Sequence, residues 1–173
     1  MIPIRSNQLA GLEWRQASAF SRTFDLYSGD SVLAHLEWKK VLGTLAAATT
    51  AEANWTFKRT GFLSSVVTAR VTSAETDVAT YVPNWMGTKG QLQIGGQTLH
   101  LKGANFWATQ WILLDGETPL LQFGSHGVFK AAAEVTVTDA ARERPDLPLL
   151  LCFVWYILVL HMEDSAAAVV AAT

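Results

Sequence analysis

Short runs in which apolar and polar residues alternate follow one another from about residue 8 to about residue 138. Such alternation is typical of β-strands with one buried face, and turn residues separate the runs roughly every ten residues. No helical periodicity is sustained before residue 139. The pattern therefore predicts about ten to twelve antiparallel strands joined by short connections.

Two glycine-containing turns give the clearest hairpin signals. Segment 91–101 reads QLQIGGQTLHL, with apolar positions on both sides of Gly95-Gly96. Two adjacent glycines allow the positive φ values that a two-residue hairpin loop requires. Segment 20–38 predicts a second hairpin around Gly29, with Phe20 in the strand that leads into it.

One long apolar run follows the predicted strands. Residues 147–160 read LPLLLCFVWYILVL, with Asp146 placed to cap a helix N-terminus. We expect a helix over about 146–162 and an Ala-rich tail, 164–173, that frays. The run is about 21 Å long as a helix, whereas a bilayer core is roughly 30 Å thick. A buried core helix is therefore predicted, with membrane contact as the alternative.

The helix has no polar face, so protein or lipid must surround it on all sides. A single open sheet covers only one side, whereas a barrel of about twelve strands has a lumen wide enough for a helix. Closure also removes exposed sheet edges. The predicted fold is mainly β: a closed antiparallel barrel of about twelve strands around a central hydrophobic C-terminal helix, forming one domain over 1–173.

Composition narrows the class of protein. The chain has 173 residues, half of them hydrophobic, and includes seven Trp and eight Phe, which excludes a disordered chain. Its net charge of -2 argues against nucleic acid as a partner. The single Cys excludes an intrachain disulfide and a multi-Cys zinc site. No signal peptide is visible at the N-terminus, so a cytoplasmic location, peripheral at the membrane, is predicted.

The side chains that could act in catalysis or bind a metal ion do not form a catalytic pattern. Cys152 lies in the apolar run, where burial raises the pKa of a thiol and makes it inert. No GxSxG nucleophile elbow surrounds Ser64-Ser65 or Ser125-His126. The four histidines have no metal-ligand spacing. No catalytic residue, cofactor or metal ligand is predicted. Hairpin turns account for the glycine-rich pieces around Gly87, Gly90, Gly95 and Gly96, which lack the following helix of a phosphate-binding loop. The four histidines are His35, His100, His126 and His161.

Aromatic and basic residues give sharper expectations. Trp107 and Trp111 are interpreted as core residues. Arg59 shares strand parity with Trp55 and Phe57, so if these rings point inward Arg59 does too, and it needs a carboxylate or carbonyl partner. Several lysines lie near predicted strand ends, where one barrel rim could collect them into a patch for anionic lipid; solvated strand-end charges are the alternative. These lysines are Lys39, Lys40, Lys58, Lys89 and Lys102.

Many short strands followed by one hydrophobic helix resemble the tubby C-terminal-like superfamily, which includes tubby-like proteins, phospholipid scramblases and LURP-one-related proteins. Segments 55–62 and 104–111, WTFKRTGF and ANFWATQW, look like strands of that family. The resemblance covers about residues 8–164 and implies a twelve-stranded barrel around a C-terminal helix. An Asp-rich calcium segment and a Cys-rich stretch, both typical of scramblases, are missing, since only Asp139, Asp146 and Cys152 stand in the corresponding regions.

Two classes of function follow from these observations. The first is a non-enzymatic binding or adaptor module that associates with anionic phospholipid or with a protein partner. The second is a small-ligand carrier or enzyme with a site at a barrel mouth, which a cavity with convergent polar groups or a shifted pKa would favour. A tail-anchored, scramblase-like membrane protein is a third reading, in which residues 147–160 enter a bilayer.

Overall fold

The computed structural model of the chain describes residues 1–4, 9–40, 42–61, 65–74, 76–105, 109–126 and 131–171. In this part of the chain it is a closed barrel of twelve antiparallel strands with one long helix in the lumen, as predicted. The strands are β1 (Leu12–Gln16), β2 (Thr23–Ser28), β3 (Ser31–Trp38), β4 (Ala46–Thr50), β5 (Asn54–Thr60), β6 (Val66–Val71), β7 (Asp77–Pro83), β8 (Lys89–Ile94), β9 (Gln97–Gly103), β10 (Gln110–Asp115), β11 (Thr118–His126) and β12 (Ala132–Val137). A short helix, α1 (Asp139–Arg142), precedes the long helix, α2 (Leu147–Ala171).

Each strand pairs with its neighbours along the chain, and β1 pairs with β12 to close the sheet. An even number of strands allows every pair in a closed barrel to be antiparallel. Both predicted hairpins are confirmed. Gly29 joins β2 to β3 with a φ of 58°, and Gly95 and Gly96 join β8 to β9 with φ values of 54° and 76°.

The apolar part of α2 lies inside the barrel. Every residue from 149 to 160 is at most 6% exposed, which confirms the prediction of a buried core helix. The helix lies nearest to β3 and β5, which flank the inward-facing Ala46 and Ala48 of β4. Small residues on this side allow close approach of the helix backbone. Large rings fill the rest of the lumen. Trp14 stacks on Trp155 with ring centroids 6.0 Å apart, and Trp38 of β3 and Phe57 of β5 pack on Tyr156.

The start of α2 agrees with the sequence prediction and its end does not. The Asp146 carbonyl accepts a hydrogen bond from the Leu150 N–H, while the Asp146 carboxylate is held by Arg144 at 2.8 and 2.9 Å. The predicted end near residue 162 is wrong, because the helix continues to Ala171. The buried part of α2 already provides the helical nucleus, so the alanine-rich segment after it extends the helix at little cost in free energy.

Phe20 is the clearest error among the strand predictions. It lies in the connection between β1 and β2 rather than in a strand, and its side chain is fully exposed. Trp111 is a core residue, 5% exposed, as predicted. The predictions for Trp107 and Ser64 fall outside the described residues.

Gly90 was expected in a turn, but it lies in β8 beneath the ring of Tyr81 on β7. A Cβ atom at Gly90 would be 2.5 Å from atoms of the Tyr81 phenol. The glycine is therefore required by the close approach of an aromatic ring to the strand.

The substitution Gly90→Ala is expected to destabilise the barrel by about 1–3 kcal/mol, because the buried Tyr81 ring has to move. Gly124→Ala is the matched control, since Gly124 also lies in a strand and a Cβ there would meet no atom within 4 Å. Urea unfolding of the two variants measures the difference. Equal unfolding midpoints would contradict the packing of Tyr81 on Gly90.

Candidate functional site

The two ends of the barrel differ in what they present to solvent. Because successive strands are antiparallel, the connections that follow β1, β3, β5, β7, β9 and β11 all lie at one end. The helix leaves the lumen at this end, where His161 contacts Tyr81 and Trp111. We call this end, with helix residues 161–171, the exit mouth; the other end, where α2 begins, is the opposite end.

All five lysines singled out in the sequence lie near the exit mouth. Lys39 and Lys40 directly follow β3, Lys58 is near the end of β5, Lys89 begins β8 and Lys102 is near the end of β9. All five are exposed. Lys89 and Lys102 are register partners on neighbouring strands. The structure therefore gathers these residues on one rim, along an arc from β3 to β9.

Most acidic residues of the described chain lie away from this rim. At the exit mouth, each acid in the described part of the chain has a basic partner: Glu37 with Lys39, Glu163 with Arg22, and Asp164 with Arg59. Four of the lysines have no carboxylate within salt-bridge distance among the described residues; these are Lys40, Lys58, Lys89 and Lys102. The opposite end carries most of the other acids, which include Asp30, Glu52, Asp77, Asp115, Glu117, Asp139, Glu143 and Asp146.

Exposed apolar side chains share the exit mouth with the lysines. Trp85, in the connection between β7 and β8, is 92% exposed, and Met86 beside it is 60% exposed. Apart from Met1, every large apolar side chain described as exposed belongs to this end; these are Phe20, Leu42, Leu45, Val82, Trp85, Met86, Val169 and Val170. The exit mouth is thus a basic rim with apolar residues in its loops.

Two arginines hold the helix where it leaves the barrel. Arg22 donates to both carboxylate oxygens of Glu163 at 2.7 and 2.9 Å, and its guanidinium lies over the Trp38 ring. Arg59 donates to Asp164 at 2.5 Å. The expectation that Arg59 needs a carboxylate partner is confirmed. These pairs link the first exposed turn of α2 to the rim of the barrel.

A cavity of about 400 Å³ opens at the exit mouth between the barrel wall and α2. His161 lies in it with Nε2 3.5 Å from the Tyr81 hydroxyl, and its ring stacks on Trp111 with centroids 5.0 Å apart. Burial lowers the pKa of His161 and raises the pKa of Tyr81, so both are uncharged at neutral pH. Arg59 and Asp164 also line the cavity.

Other residues considered from the sequence lie elsewhere. Cys152 is fully buried in α2, and burial raises the pKa of its thiol, as expected. His35 pairs with Asp25 on the barrel wall, and His126 pairs with Glu13. In the residues that the structure describes, no group of three or more His, Cys, Asp or Glu is arranged to hold a metal ion.

Length and composition would also allow α2 to cross a membrane. In the structure, however, 78% of its most apolar 18-residue window is buried within the protein. A barrel lumen and a bilayer select the same apolar composition, because both surround the helix with nonpolar groups. The buried position supports the core-helix interpretation of residues 147–160.

The chain matches no protein-family model, no curated protein and no solved structure. The structure defines its class as a closed twelve-stranded antiparallel barrel with a helix in the lumen. The resemblance to the tubby C-terminal-like superfamily stays a hypothesis.

Sequence reasoning found the lysines of the exit mouth but missed its apolar residues. Trp85 and Met86 stand between Pro83-Asn84 and Gly87, a sequence typical of a surface turn, where large apolar side chains are often left exposed. That signal was present in the sequence. The role of Arg22, by contrast, depends on Glu163, which is 141 residues away, and no local pattern predicts such a pair.

Proposed function

We propose that this protein is a non-enzymatic binding module that docks its exit mouth on anionic phospholipid membranes. The observation that carries the proposal is the coincidence, at one end of the barrel, of exposed apolar loop residues and of lysines with no carboxylate partner among the described residues. Basic residues attract anionic headgroups, and tryptophan favours the interface between headgroups and acyl chains. The element order of strands followed by an apolar helix supports membership of the tubby C-terminal-like superfamily.

Charge placement favours this orientation. Each lysine near an anionic surface contributes about 1 kcal/mol, and the attraction falls off within a Debye length of about 8 Å at physiological salt. A strand of six residues spans about 20 Å, so acids at the opposite end are screened from a membrane at the exit mouth. The net charge of -2 therefore does not prevent attraction at this end.

Lys89 and Lys102 give a second line of support. Like charges directly opposite each other on paired strands destabilise a sheet. The two lysines are such a pair on β8 and β9, and among the described residues no carboxylate neutralises them. Anionic headgroups would relieve this repulsion. The lysine pair is therefore better explained by binding of anions than by the stability of the sheet.

Co-sedimentation with vesicles tests the proposal. We expect binding to vesicles of phosphatidylcholine mixed with phosphatidylserine to exceed binding to phosphatidylcholine alone. At about 1 M salt, where the Debye length is about 3 Å, this excess should largely disappear. Weak, reversible binding is expected, because in this proposal only lysine–headgroup attraction and the apolar loop residues hold the protein on the membrane. Equal binding to both vesicles, or none, would contradict it and favour a protein partner.

A further inference from the structure

The cavity at the exit mouth has the size of a ligand site. Its volume of about 400 Å³ lies within the range of small-molecule pockets. It is open to solvent, since Trp85 and Asp164 line it and are exposed, and it extends inward to Ile157 and Leu160 on the buried part of α2. A ligand in this cavity would therefore have one polar end at the mouth and one apolar end toward the lumen.

The charged groups of the cavity are one cation and one anion. Among the described residues that line it, Arg59 and Asp164 are the ones charged at neutral pH, because burial keeps His161 and Tyr81 neutral. The Arg59 and Asp164 side chains are 26% and 54% exposed, and ion pairs this accessible to water are weak. A ligand that carries one negative and one positive charge can replace this ion pair without leaving Arg59 or Asp164 unpaired.

Ligands with a single charge fit this lining less well. A purely anionic headgroup would bind Arg59 but would be repelled by the Asp164 carboxylate, which is 2.5 Å from the Arg59 guanidinium. A purely cationic group would be repelled by Arg59. The apolar wall formed by Val67, Ile157 and Leu160 would remain unused by a small polar ion.

We infer that the cavity binds one zwitterionic amphiphile, such as a phospholipid with a choline headgroup. Its anionic group would bind Arg59, its ammonium group would bind Asp164, and the adjoining chain would contact Ile157 and Leu160. Trp85 lines the same cavity, and an aromatic ring can add a cation–π contact with a quaternary ammonium group. Binding of a dissolved amphiphile does not require contact with a bilayer, so this inference and the proposed function can fail separately.

Titration calorimetry of the full chain with dihexanoyl phosphatidylcholine, kept below its micelle concentration, tests the inference. We expect this lipid to bind more tightly than dihexanoyl phosphatidylglycerol, its anionic counterpart, and more tightly than phosphocholine, which lacks the chains. Asp164→Asn should weaken phosphatidylcholine binding by about fivefold. The matched control is Asp139→Asn, which removes the same charge from an exposed ion pair with Arg142 at the opposite end and should leave the affinity unchanged.

Three results would overturn the inference. The first is no binding of phosphatidylcholine, or tighter binding of phosphatidylglycerol, by the unmodified protein. The second is an affinity for phosphatidylcholine that Asp164→Asn leaves unchanged or increases. The third is an equal affinity for phosphocholine, which would remove the role of the apolar wall. Thermal unfolding of each variant shows whether it is folded, and both substituted side chains are more than half exposed.

Discussion

Replacing Trp155 with Asp is expected to abolish soluble, cooperative folding. Trp155 is fully buried in the lumen, stacked on Trp14 and in edge contact with Phe24. An unpaired carboxylate at this position costs at least several kcal/mol, and loss of the indole ring leaves a cavity that costs about 3–5 kcal/mol more. The sum is comparable to the whole stability of an ordinary domain, which is about 5–15 kcal/mol.

The control for this variant is Ala167→Asp, which places the same charge on the exposed part of the same helix. It should fold as the parent does. Soluble yield and the thermal unfolding transition, followed by circular dichroism, compare the two variants. A Trp155→Asp protein that is soluble and unfolds cooperatively near the parent temperature would contradict a helix buried in the lumen.

The barrel could be predicted from sequence because its signals are local and repeated. Alternation with turn glycines such as Gly29 and Gly95 gives the strands, and an apolar run without a polar face requires a surrounding wall. The end of α2 could not be predicted in this way. Alanine-rich sequence is helical only when a stable helix precedes it, and that stability comes from burial of residues 149–160 by strands far away in sequence.

The candidate site was only partly predictable. Strand-end lysines can be read from sequence, but their placement at one end depends on the direction of each strand, and therefore on counting every strand correctly. Lys39 and Lys102 lie at the same end because β3 and β9, with five antiparallel strands between them, run in the same direction and each lysine lies near the end of its strand. The cavity is less predictable still, since Tyr81 and His161 meet across 80 residues of sequence.

Neutralising the lysine rim should have the largest effect on membrane binding. The variant carries four substitutions of lysines that have no carboxylate partner in the described part of the chain: Lys40→Gln, Lys58→Gln, Lys89→Gln and Lys102→Gln. At about 1 kcal/mol for each lysine, the loss is about 4 kcal/mol, or about a thousandfold in the partition coefficient. These side chains are exposed, so stability should change little.

The control must have the same net charge with an unaltered exit mouth. Four acids added to exposed positions at the opposite end achieve this: Ala10→Glu, Ser73→Glu, Thr76→Glu and Thr118→Glu. The added charges are about 20 Å from a membrane at the exit mouth, beyond the Debye length, so binding should stay within about tenfold of the parent.

The most direct test of membrane docking by the exit mouth is the partition coefficient of these three proteins on anionic vesicles, measured side by side at physiological salt. We predict that the lysine variant loses about three orders of magnitude of binding while the opposite-end variant binds nearly as the parent does. Equal losses in both variants would show that net charge rather than the exit mouth governs attraction. Parent-like binding by the lysine variant would contradict the proposed docking surface.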